Sequence, residues 1–459
     1  MNNPAPRSHC CAEHSRAELA RRAFAEAGRG LPSIEPGMPA PAGTGLSRRS
    51  FLARAGGAAL SVYGASLIDP RRFAEGIARA QGASNRVIVS VFLEGGVDAL
   101  SVLAPVNDPR YAALRSSLRV GPGEGTPWSE DTRLHWHPAA TPLHTLHQEG
   151  KVSVLPGVGY ADPDQSHFTS RHYWEVGELN VRNNTGWMGR LLDRIGDDDN
   201  PLQGISLDGW LSPGLATARV PVAATYGASY DLWAPGVWGD VAELMFDALG
   251  RIGASHEAGS DPGLAAAGRV LRQSTQLRDA LAPFGGGGDP PVTYPDTGHF
   301  PDSLAGLAAM LDAGLPIRCA ALNAAGGFDT HDNQETPFVE GIGQTCDSIL
   351  AFQRDLESRG IADRVITLLW SEFGRRPEQN GSDGTDHGAG GCAFLIGSSV
   401  AGTMIGEWPG LATLDVDDNL RSTSDFRAAY CSLLEQWFDV DAAAVIPGAA
   451  GFSRPVLIG

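Results

Sequence analysis

Residues 86–93 read RVIVSVFL, a nearly unbroken apolar run that ends in Gly95-Gly96. A strand with one wet face alternates apolar and polar positions, whereas an unbroken run marks a strand covered on both faces, as in a parallel sheet. Val152–Pro156, Ile317–Leu322, Arg364–Trp370 and Ala393–Ile396 read the same way. Between them the period changes. Thr336–Arg359 places Phe338, Ile342, Ile349 and Leu356 on one helical face, with Cys346 on the same stripe. Ser303–Ala313, Leu264–Leu281 and Ser424–Trp437 are further helical stretches, the last carrying Phe426, Tyr430, Leu433, Leu434 and Trp437. Strands alternating with helices predict an α/β fold: a mostly parallel central sheet with helices on both faces. Gly285–Gly288 followed by Asp289-Pro290-Pro291 predicts a turn closing an insertion around 203–292, so residues 81–459 read as a single domain.

The first 80 residues follow another pattern. Ser47-Arg48-Arg49-Ser50-Phe51-Leu52 precedes a weakly apolar run, Ala55–Ile68, and then Ala78-Arg79-Ala80. Paired arginines, a mild apolar stretch and an A-x-A site, in that order, resemble a twin-arginine export signal. The run has about 14 residues against the ~20 needed to cross a bilayer, so no integral membrane span is expected. Residues 1–80 are therefore expected to be a leader read by the twin-arginine export machinery, with the mature protein periplasmic or secreted.

Charge sharpens the picture. Eleven arginines face six acidic residues in that leader, while the whole chain of 459 residues carries −18, leaving −23 for the rest. A body so acidic argues against nucleic-acid binding, which needs Lys/Arg surfaces. Lys151 is the only lysine and is followed by Val152, which excludes a P-loop and makes a Schiff-base enzyme improbable. Cys10 and Cys11 belong to the leader. Cys319, Cys346, Cys392 and Cys431 are widely spaced and read as buried structural residues, with one disulfide open to them in an oxidising compartment.

In open α/β sheets ligands bind beyond the carboxyl ends of the strands. Three polar clusters fall there: Glu94 to Asp98, Gly326 to Gln334 with Asp329 and His331, and Ser371 to Arg376 with Glu372, followed by Gly384 to Gly388 with Asp386 and His387. Each alone is more often a capped loop or a satisfied polar pair than a ligand. Together at one sheet edge they supply the O/N donors that hard-to-borderline divalent metals take. His135, His137, His144 and His147 read as structural, and His172 as a neighbour of Ser166.

Phe328-Asp329-Thr330-His331, Ser371-Glu372-Phe373-Gly374-Arg375, Thr385-Asp386-His387-Gly388 and Ser166-His167-Phe168 resemble the signatures of the exported domain-of-unknown-function family fifteen-oh-one. That family is similar to the alkaline-phosphatase and sulfatase superfamily, which implies a mostly parallel sheet with metals at the strand ends. The resemblance implies Asp329 and His331 for one metal, Asp386 and His387 for another, and acidic ligands from Glu372 and Asp98. One or two divalent ions are expected (zinc, calcium, magnesium or manganese). It further implies Ser166 as nucleophile, the other reading of that serine being a plain helix N-cap, and Arg375 either as an anion clamp or as a partner of nearby acids. No Cys or Ser precedes the x-Pro-x-Arg of formylglycine conversion, which disfavours an ordinary sulfatase. The expected function is a metal-dependent hydrolase of phosphate, sulfate or related esters on a small or polymeric anionic substrate. The alternative is a non-catalytic metal-binding envelope protein that assembles with another exported partner.

Overall fold

The computed structural model describes Val62–Tyr63 and residues 85–459, apart from 198–199, 229–238, 257–259, 285–288 and 296–297. Apart from Val62–Tyr63, the leader with its arginine pair lies outside the described residues, and so does the Gly285–Gly288 turn. The central sheet and the site use β1 (Val62–Tyr63), β2 (Val87–Phe92), β3 (Val152–Gly159), β4 (Gly204–Ser206), β5 (Val222–Ala224), β6 (Cys319–Asn323), β7 (Val365–Trp370), β8 (Arg375–Gln379), β9 (Thr385–His387), β10 (Gly391–Ile396) and β11 (Ser424–Asp425). The helices are α1 (Ala99–Val102), α2 (Pro109–Leu114), α3 (Thr141–Gln148), α4 (His167–Val176), α5 (Trp187–Ile195), α6 (Asp240–His256), α7 (Pro262–Leu281), α8 (His299–Asp312), α9 (Glu335–Ser358) and α10 (Phe426–Ser432).

Nine strands form the central sheet in the order β1-β5-β4-β6-β2-β7-β10-β3-β11. From β5 to β7 every pairing is parallel, with β2 at the centre between β6 and β7. All six residues of β2 are buried, as its unbroken apolar run predicts. Val87, Val89 and Val91 face one core with α3, α8 and α9, while Ile88 and Phe92 face the other with α4, α5 and α10. Alternate side chains of one strand thus feed two hydrophobic layers, which is why helices cover both faces.

The sheet departs from the sequence reading in two places. Ala393–Ile396, expected among parallel strands, lies in β10, which runs antiparallel to both β7 and β3. Only the β8–β9 hairpin separates β7 from β10, and a parallel return needs a crossover of a dozen or more residues, usually helical. The insertion expected around 203–292 is narrower. Gly204–Ser206 and Val222–Ala224 are strands of the central sheet, and the excursion is the packed pair α6 and α7.

All four described cysteines, Cys319, Cys346, Cys392 and Cys431, are buried thiols without a disulfide. Among the described residues no helix is long and apolar enough to cross a membrane.

Candidate metal centre

The carboxyl ends of β2, β6 and β7 lead into the loops that build the site. Gly95, just past β2, sits at φ +112°, and a Cβ there would stand 2.3 Å from Asp329 N. Only glycine lets the β2 and β6 loops approach so closely. The loop after β6 carries Asp329 and His331, Glu372 follows β7, and β9 ends on His387, paired in register with Arg375 of β8. The fifth contributor is His167, the first residue of α4.

One oxygen is the hub. Asp329 Oδ1 lies 3.2 Å from His167 Nε2, 3.0 Å from His331 Nε2, 3.4 Å from His387 Nε2 and 2.7 Å from Arg375 Nη2. Each imidazole is tied at its other nitrogen. His167 Nδ1 donates to Glu372 Oε1 at 2.7 Å, His331 Nδ1 to Asp386 Oδ1 at 3.0 Å and His387 Nδ1 to the Gln165 carbonyl at 2.8 Å. Carbonyl and carboxylate oxygens only accept, so the proton of each neutral imidazole belongs on Nδ1 and its lone pair on Nε2. A carboxylate or carbonyl behind each ring, with Nε2 free, is how metal-binding histidines are oriented. His167 Nε2 is buried without an aligned hydrogen-bond partner, although Asp329 is near. His167, Asp329 and His387 form a group whose ligand atoms all lie within 4.8 Å of one another. His331 Nε2 adds to it from the open side, 3.0 Å from His387 Nε2.

The electrostatics match. Burial opposes charge on His167, but its bonds to Asp329 and Glu372 prevail and push its pKa up to about 9. Asp329 itself is held far below the usual carboxylate range: burial works against ionisation, and the bonds from His167, His331, His387 and Arg375 overwhelm it. His331 is raised chiefly by Asp329, with burial opposing and Asp386 adding. A pocket that attracts protons this way also attracts a dication.

Two residues expected here do other work. Asp98, expected as a ligand, is buried and grips the buried Arg115 with both oxygens, at 2.5 and 3.0 Å, while Ser101 Oγ and Gln334 Nε2 each donate to it at 2.6 Å. Its lone pairs are spent, and Arg115 holds it ionised against burial. Gln334 in turn accepts from Thr330 Oγ1 and Thr385 Oγ1, so the Asp98–Arg115 pair braces the loops that carry Asp329 and His387. Arg375, read as an anion clamp at the catalytic site or as a partner of nearby acids, is 1% exposed. Its guanidinium donates to the carbonyls of Gly95, Gly96, Phe328 and Thr385 as well as to Asp329. With every arm committed inward it positions Asp329 and clamps no anion.

Glu372 stands behind His167, accepting also from Gly95 N at 3.1 Å and Ser371 Oγ at 2.9 Å. Asp386 stands behind His331 and also accepts from Asn380 at 3.2 Å. Ser166 is the N-cap of α4, its Oγ accepting from Thr169 N at 3.5 Å. His172 bonds the Asn180 carbonyl on the surface, His137 caps Ala139 N, and His147 is buried between Glu130 and Trp128. The residue that sequence reasoning passed over is His167. Its signal was its place in Ser166-His167-Phe168, one of the matched signatures.

Residues 305–441 match the family described as "Protein of unknown function (DUF1501)". That span holds Asp329, His331, Glu372, Arg375, Asp386 and His387 but neither His167 nor Asp98. No curated protein matches the chain. Among solved structures, the chain is similar to the PsFucS1 sulfatase from Pseudoalteromonas sp., with 12% identity over 85% of this chain and 78% of that one and a TM-score of 0.34. It is also similar to the lipoteichoic acid synthase LtaP from Listeria monocytogenes (8% identity, 70% and 71% covered, TM-score 0.30). Ps i-CgsB is a third such structure (9% identity, 81% and 75% covered, TM-score 0.33).

Proposed function

We propose that this protein is an extracytoplasmic metal-dependent hydrolase of phosphate, sulfate or related esters. The observation that carries the reading is the set of three imidazole Nε2 atoms turned toward one Asp329 oxygen, each ring held from behind by an acceptor. Two imidazole nitrogens and a carboxylate suit zinc better than calcium or magnesium, which prefer all-oxygen shells. His167, Asp329 and His387 would hold the ion. When bound, it supplies Lewis-acid polarisation of the ester oxygens and activation of the attacking group.

The remaining residues have separate tasks. His331 is 42% exposed and backed by Asp386, so its Nε2 is the group placed to take and return a proton at the open side. Arg375 fixes the Asp329 rotamer. Ser166 is the proposed nucleophile: it is half-buried, precedes His167, and uses its oxygen only as a long acceptor in the cap. The acidic body repels anions at long range, while a bound dication reverses the field locally. Export through the twin-arginine route, proposed from the leader, would deliver the folded, metal-loaded protein.

His331 also supports a second reading. If it closes the coordination shell as a fourth protein ligand, the site becomes structural, since catalytic zinc keeps a position open. The protein would then be a metal-binding envelope component that assembles with another exported protein. Metal analysis of protein purified from its native host, with p-nitrophenyl phosphate and sulfate as probes, separates the two. The hydrolase reading expects one equivalent of metal, ester turnover, and a His331→Ala variant that keeps its metal and loses turnover. Metal without turnover of any ester supports the envelope reading, and absence of metal defeats both.

A further inference from the structure

A second concave site opens at the same edge of the sheet, beyond β4, β5 and β6. It is a cleft of about 470 Å³ whose lining includes Asp208, Trp210, Tyr226, His299, Asn323 and Gln344. Trp210 is 52% exposed and Tyr226 58%, among the largest apolar surfaces that the described residues leave in water.

These rings are held in place. Asp208 and Tyr226 form an antiparallel bridge. Gly209 N donates to the Thr225 carbonyl and Gly227 N to the Leu207 carbonyl, both at 2.7 Å. Ser206 Oγ donates to the Trp210 carbonyl at 2.7 Å, and Tyr226 stacks on His299 with ring centroids 4.2 Å apart. The loops after β4 and β5 are thus pinned with both rings more than half exposed, apolar surface that a bound ring would cover.

The polar groups narrow the ligand. Asp208 is buried, accepts from Asn323 N at 2.9 Å, and lies 3.2 Å from His299 Nε2. The side-chain amides of Asn323 and Gln344 add donors and acceptors, and among the described residues neither Lys nor Arg lines the cleft. A free anion finds no counter-charge there. Vicinal hydroxyls suit a carboxylate–imidazole pair flanked by amides, and the C–H faces of a pyranose suit the negative faces of Trp and Tyr.

We propose that this cleft is a saccharide-binding subsite that takes an uncharged sugar ring. The segment that supplies Asn323 to the cleft continues along the chain to Asp329. Asn323 Nδ2 also donates to Glu94, next to Gly95, whose N–H meets Glu372. Where the protein acts as the proposed hydrolase, the substrate is therefore a sugar ester, its ring on Trp210 and Tyr226 and its ester group toward Asp329. That last step rests on the proposed function; sugar binding does not.

The test uses metal-stripped full-length protein, so its outcome is independent of hydrolysis. Calorimetry and saturation-transfer NMR with methyl β-galactoside, methyl β-glucoside and lactose should show binding of at least one of them. Trp210→Ala and Tyr226→Ala should each weaken it by about tenfold or more, the worth of one aromatic contact, with an unchanged melting temperature. Choline is the control for an aromatic cation cage, and inorganic sulfate for an anion site. Binding of choline or sulfate without any sugar overturns the proposal. So does failure of all three saccharides, or saccharide binding that survives both substitutions. If neutral sugars bind while no sugar sulfate or phosphate is hydrolysed, the subsite stands and the hydrolase reading falls.

Discussion

Glu372→Gln is the cleanest probe of the metal centre, because it removes a charge while keeping a shape. The Glu372 carboxylate is 1% exposed and accepts hydrogen bonds from His167 Nδ1, Gly95 N and Ser371 Oγ. A glutamine fits the same space. Its oxygen can accept from His167 and Gly95, and its amide can donate to Ser371 Oγ, which then donates to the Leu93 carbonyl it already reaches at 2.8 Å. No donor is orphaned, so the cost to the metal-free fold should stay within about 1 kcal/mol. What disappears is the negative charge that makes His167 a better donor of its lone pair. Loss of such a supporting carboxylate typically lowers metal affinity ~10–100-fold, or about 1.4–2.7 kcal/mol. Titrating stripped protein with zinc against a chromophoric chelator measures this directly. An affinity within about twofold of wild type would refute the placement of His167 in the coordination shell, since the expected loss is at least about tenfold. A collapse of the metal-free melting temperature would instead make Glu372 a structural residue. Glu372→Ala is the contrast: it strands two donors and should also destabilise the metal-free form by about 1–3 kcal/mol per orphan.

Arg115→Met should destabilise the protein by about 3–5 kcal/mol in urea, because it leaves Asp98 buried, charged and unpaired; adding Asp98→Asn should recover part of the loss, and a single variant as stable as wild type would contradict this. Ser166→Ala should abolish ester turnover at unchanged metal content and cost about 1 kcal/mol of stability as a lost cap, whereas full turnover would assign the serine to capping alone. Arg48→Lys combined with Arg49→Lys should leave precursor in the cytoplasm, and normal periplasmic accumulation would remove the export reading.

The parts of the fold legible in the sequence are those where one strand serves two cores. β2, β6 and β7 announce themselves because burial on both faces allows hardly any polar residue, and the clusters after them fall at the carboxyl edge as topology requires. β4 and β5 are three residues each, with Gly204 and Ser206 in β4, too short for any period to emerge. Asp98 looked like a ligand because a lone acid after two glycines gives no hint of its partner, and Arg115 arrives from beyond α2. Arg375 looked like an anion clamp because backbone carbonyls, which take four of its hydrogen bonds, leave no mark in a sequence. His167 was hidden for the opposite reason. It contributes to the centre from the first turn of α4, more than 160 residues before Asp329, with only its neighbours in a short signature to mark it.

In the proposed metal-dependent reading, the engagement of the nearby acids favours one ion over two. Asp329 Oδ1 stands 3.2 Å from His167 Nε2 and 3.4 Å from His387 Nε2, and the ligand atoms of these three residues all lie within 4.8 Å of one another, while His331 Nε2 stands 3.0 Å from His387 Nε2 on the open side. A proton on His331, whose pKa is raised, makes that contact an Nε2–H···Nε2 hydrogen bond. A second ion would need its own carboxylates, and the candidates are already engaged: Asp98 by Arg115, Glu372 by His167 and Gly95, Asp386 by His331 and Asn380. The acids that a two-metal phosphatase would spend on a second ion are here spent on arginine, backbone and imidazole. In the proposed hydrolase they would brace the residues around Asp329, and the chemistry would depend on His331 and Ser166.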